Sequence, residues 1–144
     1  MPERYRTHLQ AVVASSAAPY GYTLTIWTSG AVTTHARGIP TALDALLFLA
    51  GAVMAFALVG AGAHGGPGRI FRVPAAEPTV RLWGGFHIPS VGLAIAGSSL
   101  VAALVPGVLA WPLVGFVATA TYLLVIALQF TVADSRGRRS LRSR

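Results

Sequence analysis

Four stretches of this chain, residues 11–33, 41–63, 82–104 and 108–132, carry one formal charge among them, that of Asp44. A surface helix of a soluble protein needs a polar or charged face. A hydrocarbon core about 30 Å thick is instead crossed by roughly 20 predominantly apolar helical residues. Each stretch is long enough for that crossing. The fold expected is an all-α integral membrane protein with four transmembrane helices, built as two helical hairpins. Charged residues make up 10% of the 144 residues, against about 25% in ordinary soluble domains.

The first span is the most polar, with Ser15, Ser16, Thr23, Thr25, Thr28, Ser29 and Thr33. Arg4 and Arg6 precede it, as they would a signal peptide. It lacks a compact apolar region followed by a small-residue cleavage site, so it reads as an uncleaved helix. Thr34-His35-Ala36-Arg37-Gly38 reads as a short loop. Thr41 followed by Asp44 then resembles a capping box opening the second span. Residues 64–81 hold Pro67, Pro74, Pro78 and Gly65, Gly66 and Gly68, which argues for a loop. Pro89 falls in the first two turns of the third span, where a missing N–H costs least. Val105-Pro106-Gly107 reads as a tight turn into the fourth span.

The loop charges set an orientation. Of the eleven basic residues, all arginines, only Arg37 lies in the two short hairpin loops. The others, Arg4, Arg6, Arg69, Arg72, Arg81, Arg136, Arg138, Arg139, Arg142 and Arg144, lie at the two ends or in the 64–81 loop. By the positive-inside bias both termini face the cytoplasm and the hairpin turns face outward. The organisation expected is a cytoplasmic N-terminal segment (1–10), a transmembrane domain (11–132) and a basic cytoplasmic tail (133–144). Arginine to the exclusion of lysine suggests a GC-rich genome. The location expected is a bacterial plasma (inner) membrane. Trp83 and Trp111 fall at span ends, where an interfacial belt accommodates them. Trp27 lies inside a span, where a belt does not.

The two hairpins raise the question of duplication. A shift of seventy pairs Pro19 with Pro89 and Ser29 with Ser99. An even number of spans per half would make the repeat parallel. The identities are few, and duplication stays an open reading.

Chemistry is sparse. The chain has no Cys, which removes disulfides, thiolate metal sites, iron–sulfur clusters and thiol catalysis. There is no nucleophile elbow, carboxylate pair, zinc-protease motif or phosphate loop. No enzyme activity and no cofactor are therefore expected. A proton-coupled drug exporter of this size needs a carboxylate in its first helix, and none is present. The small four-helix fluoride channels commonly lack a strong charge bias, which this chain has. Asp44 is a candidate ionisable site, because intramembrane carboxylates are costly and tend to be functional. Capping beside Pro40 and Thr41 is the better account of it. His87, the other candidate ionisable site, could relay protons, but a structural interfacial role explains it as well. His35 with Asp44 is a weak metal pair.

The first span carries the most distinctive pattern. Tyr22, Thr25, Ser29 and Thr33 lie close to one helical face. They are either a neutral polar lining for a pore or pocket, or a packing face where hydroxyls let backbones approach. Packing is preferred, and a lipid-facing role for mid-span Tyr and Trp is disfavoured because it leaves polar groups unpaired. Gly51–Ala55, Ala57–Ala61 and Ala94–Ser98 add small-xxx-small pairs. The Arg-rich tail suits anionic headgroups, and nucleic acid is not expected there. Two functions follow: a non-enzymatic membrane subunit or scaffold, or a small oligomeric channel or carrier for a neutral or weakly polar solute, lined by the first helix. A homo-oligomer or a membrane-protein partner fits either.

Overall fold

The computed structural model describes residues 3–64 and 87–142, with side chains described over 19–63, 88–129 and 131–132. Among these residues the fold is all helical, with four helices: α1 (Glu3–Arg37), α2 (Ala42–His64), α3 (His87–Leu104) and α4 (Ala110–Arg142). Two are long and apolar enough to cross a membrane, over Ala42–Ala63 and Ala110–Gln129, while Ile88–Leu104 is apolar but shorter. The 64–81 loop beyond His64, the start of the third span and Trp83 lie outside the described residues.

The helix ends follow from local chemistry. Gly38, expected inside a loop that begins at Thr34, instead stops a helix that runs through Arg37. Its φ of 88° is left-handed, and its N–H donates to the Thr34 carbonyl at 2.8 Å, the αL form of C-cap. Four residues later α2 opens with a reciprocal box. The Thr41 N–H and Oγ1 donate to Asp44 Oδ2 at 2.9 and 2.7 Å, and the Asp44 N–H donates to Thr41 Oγ1 at 3.2 Å. This satisfies donors that a helix start leaves unpaired. Gly107, with φ 71°, makes the turn between α3 and α4.

The outer segments are helical where described: residues 3–10 continue α1 and residues 133–142 continue α4. At 1.5 Å per residue each helix is about 50 Å long.

Packing centres on α4. It packs against α1, α2 and α3, and α1 also packs against α3, whereas neither α1 with α2 nor α2 with α3 forms an extended interface. The α3–α4 hairpin is therefore closed, and α1–α2, expected to be a second hairpin, is open. The two hairpins thus differ in packing.

The reason lies in where the backbones can approach. At the α2–α4 crossing Gly51 faces the Pro112 carbonyl and Gly115 faces the Phe48 carbonyl, and a Cβ on either glycine would collide with that backbone oxygen. Ala52 and Ala55 are buried in the same seam. Glycine permits this approach, where close Cα–H···O contacts and dispersion replace side-chain packing. Of the small-residue pairs, Gly51–Ala55 and Ala94–Ser98 are buried, while Ala57 of the third pair is exposed.

Gly115→Ala and Gly51→Ala should each lower thermal stability in detergent, by about 1–3 kcal/mol or more for overpacking. Gly62→Ala, which meets open space, should leave stability unchanged or raise it by up to about 1 kcal/mol through helix propensity.

Candidate functional site

The buried positions of α1 recur every four residues: Gly21, Thr25, Ser29 and Thr33. Those of α3 do the same: Ser90, Ala94, Ser98 and Ala102. Each set is an i±4 ridge of small residues, the geometry of close helix crossing. Arg37 ties the end of α1 to the end of α3, its guanidinium reaching the Ala102 carbonyl, 65 residues on.

The hydroxyls in this seam are mostly spent on their own helices. Thr25 Oγ1 donates to the Gly21 carbonyl at 2.9 Å and Thr33 Oγ1 to the Ser29 carbonyl at 2.7 Å. Across the seam Ser98 Oγ donates to the Ala94 carbonyl at 2.7 Å. Such i−4 bonds satisfy the donor without a partner helix. Tyr22 is the exception that reaches across: its hydroxyl lies 3.1 Å from Thr119 Oγ1 of α4. Its ring tilts at 53° against Tyr122, with centroids 5.7 Å apart, within the range of favourable aromatic pairs. Ser29 Oγ is fully buried and has no hydrogen-bond partner. The four residues Tyr22, Thr25, Ser29 and Thr33 are thus brought together, and they face α3 and α4.

Sequence reasoning missed Arg37, which it treated only as a loop charge. Ala102 would ordinarily accept a helical bond from residue 106, but residue 106 is proline and has no N–H. The Arg37 guanidinium supplies two donors instead, Nε at 3.0 Å and one Nη at 2.8 Å, both to the Ala102 carbonyl. It also donates to the Val105 and Gly107 carbonyls. Arg37 therefore caps the C-terminus of α3 from another helix, where a cation also meets the negative end of the dipole. The signal in the sequence was a proline four residues after the last helical turn's carbonyl, with a single arginine in the opposite short loop.

The remaining candidates stand apart. Asp44 is held by Thr41 in the cap of α2. His35 is exposed, and the His87 side chain lies outside the described residues. Among the described residues no group of three His, Asp or Glu side chains could hold a metal. The aromatic expectations reverse: Trp111, assigned to a belt, is 7% exposed, while Trp27 and Tyr20 are 75% and 65% exposed. Trp111 lies on the face of α4 that the other helices cover, and Trp27 lies opposite the buried ridge of α1. Comparisons with protein-family models, curated proteins and solved structures give no match for this chain.

Arg37→Ala should cost about 1.5–3 kcal/mol, the range for a hydrogen bond to a charged group, read by thermal unfolding. In a Pro106→Ala background, where residue 106 regains an N–H for Ala102, the same substitution should cost measurably less. Ser29→Ala removes a buried hydroxyl that makes no bond, so stability should hold or rise. A fall of about 1 kcal/mol or more would mean that a bound water or solute completes that hydroxyl.

Proposed function

We propose that this chain is a four-span integral protein of a bacterial plasma membrane, with both termini cytoplasmic, and that it serves as a non-enzymatic membrane subunit or scaffold. The observation that carries the functional part is the closure of the α1 ridge. Thr25, Ser29 and Thr33 are fully buried, with the Thr25 and Thr33 hydroxyls bonded within their own helix, which supports a packing ridge over an open lining. The four apolar stretches, with Asp44 as their one formal charge, and the confinement of all basic residues but Arg37 to the two ends and the 64–81 loop support the topology. Arginines of the α4 extension suit anionic headgroups, each worth about 1 kcal/mol near the surface.

A second reading, an oligomeric channel or carrier for a neutral or weakly polar solute, draws on the unpartnered Ser29 hydroxyl. The two readings separate in reconstituted vesicles. Thr25→Val combined with Ser29→Ala should leave solute flux at the background level of empty vesicles if the chain is a scaffold. A flux that the wild type supports and the double variant alters would favour the channel.

Topology is tested directly because the chain has no Cys. Single cysteines at Thr7 and Ser140 should react with a membrane-impermeant maleimide only after the cytoplasmic side is opened. Cysteines at Thr41 and Gly107 should react in intact cells. Labelling of both sets from one side would sink the four-span arrangement.

A further inference from the structure

The two peripheral faces of this protein differ in a way that lipid does not explain. The outward surface of α2 is aliphatic and aromatic hydrocarbon, with Leu43, Leu46, Leu49, Val53, Phe56 and Leu58 all exposed. That of α1 is not. At about 100° per residue, Tyr20, Thr23, Trp27, Gly30, Ala31 and Thr34 fall on one arc with Leu24 beside them, opposite the buried ridge. Leu24 is the single large aliphatic among them, and Tyr20 and Trp27 are more exposed than Leu24.

Trp27 sits ten residues before Arg37, hence about 15 Å along the helix. On the membrane-spanning reading that is near the middle of a core about 30 Å thick. Tryptophan is favoured at the interfaces, not the midplane, and an indole N–H in hydrocarbon without an acceptor is costly. No hydrogen bond satisfies the Trp27 indole among the described residues. Because α2 does not pack on α1, nothing in the described chain covers this arc.

The arc is complementary to itself. Gly30, with nothing within 4 Å of a built Cβ, leaves a notch one turn from the Trp27 ring. Long side chains on a helix lean toward its N-terminus, which brings the indole down to the level of Thr23. Thr23 Oγ1 donates to the Pro19 carbonyl at 2.9 Å and keeps lone pairs to accept an N–H. The charge bias orients every copy alike in one membrane, so a two-fold axis along the membrane normal brings this arc against its own image.

We infer that α1 pairs with α1 of a second copy of this chain through the Tyr20–Thr34 arc, the backbones approaching at Gly30 and each Trp27 packing over the partner's Thr23. This assignment rests on the membrane-spanning reading. It gives the open flank of α1 a use that neither packing inside the monomer nor lipid supplies.

The test uses the full-length chain in bacterial membranes, with single cysteines placed in the Cys-free background. Thr23→Cys, Ala31→Cys and Thr34→Cys should form disulfide-linked dimers under mild oxidation, since a disulfide needs Cα atoms within about 7 Å. Leu46→Cys and Val53→Cys on α2 should not. Gly30→Leu, which the monomer accommodates in open space, should cut the Thr34→Cys dimer yield about tenfold, the factor that ~1.4 kcal/mol represents. Trp27→Phe, which keeps a ring but removes the N–H, should lower the yield in the same direction. Absent dimers at all three α1 positions, equal yields from α2, or adducts only with a different protein would each overturn the interface. Alkaline carbonate extraction of the same samples separates the two failures. A chain that stays in the membrane pellet without crosslinking refutes the interface alone. A chain released into the supernatant refutes the membrane-spanning reading on which it rests.

Discussion

Where α2 crosses α4 the two backbones touch. Gly51 and Gly115 lie against each other's helix so closely that neither has room for a methyl group. The contact is reciprocal, so either glycine alone sets the separation. Side chains cannot substitute for this approach, because a Cβ on either helix would push the axes apart and open the seam through Ala52 and Ala55. The rest of the arrangement depends on it: α2 is attached along one seam only, its remaining surface is free to be hydrocarbon, and α4 keeps its other sides for α1 and α3. The first hairpin stays open although only residues 38–41 separate its helices.

Arg37 solves a different problem with polar chemistry. A helix that ends before a proline leaves a carbonyl without its usual donor. Water can fill that role at an exposed end. Here a guanidinium from α1 does so with several donors at once, and its charge meets the dipole of α3. The same side chain locks α1 to α3 in one register. The hydroxyl ridge of α1 and the small-residue ridge of α3 share a four-residue spacing, so they would interdigitate nearly as well one turn displaced. The capping bonds distinguish the correct turn from its neighbours.

The ridge also decides what α1 is available to do. Thr25 and Thr33 return their protons to their own helix, and the Tyr22 hydroxyl shares a hydrogen bond with Thr119 Oγ1. Hydroxyls used this way permit close packing without offering a wet surface. The opposite arc of α1 is an aromatic, small and hydroxyl surface where α2 has an aliphatic one. On the proposed subunit or scaffold reading, one side of α1 is spent on its own fold and the other is left for association.

Much of the architecture was legible in the residues, and the parts that were not share a cause. The four apolar stretches, the Thr41–Asp44 cap and the grouping of Tyr22, Thr25, Ser29 and Thr33 on one face follow from composition, local hydrogen bonding and the 3.6-residue period, all of which act within a few residues. The extension of α1 through Arg37 was missed because a histidine and an arginine after two threonines resemble a loop until Gly38 is recognised as the cap. The fates of Trp111 and Trp27 were inverted because a helical period states which residues share a face, never which face meets a neighbour. The sequence by itself determined that the described chain is all helical with four helices, two of them long and apolar enough to cross a membrane, and which residues lie together on a helical face, because these are local consequences of chain geometry and hydropathy. Only the tertiary structure decided that α4 is the hub, that α1 and α2 do not pair, and that Arg37 completes α3. Those outcomes depend on backbone approach between segments far apart in the chain, where one glycine or one missing N–H outweighs any regional average.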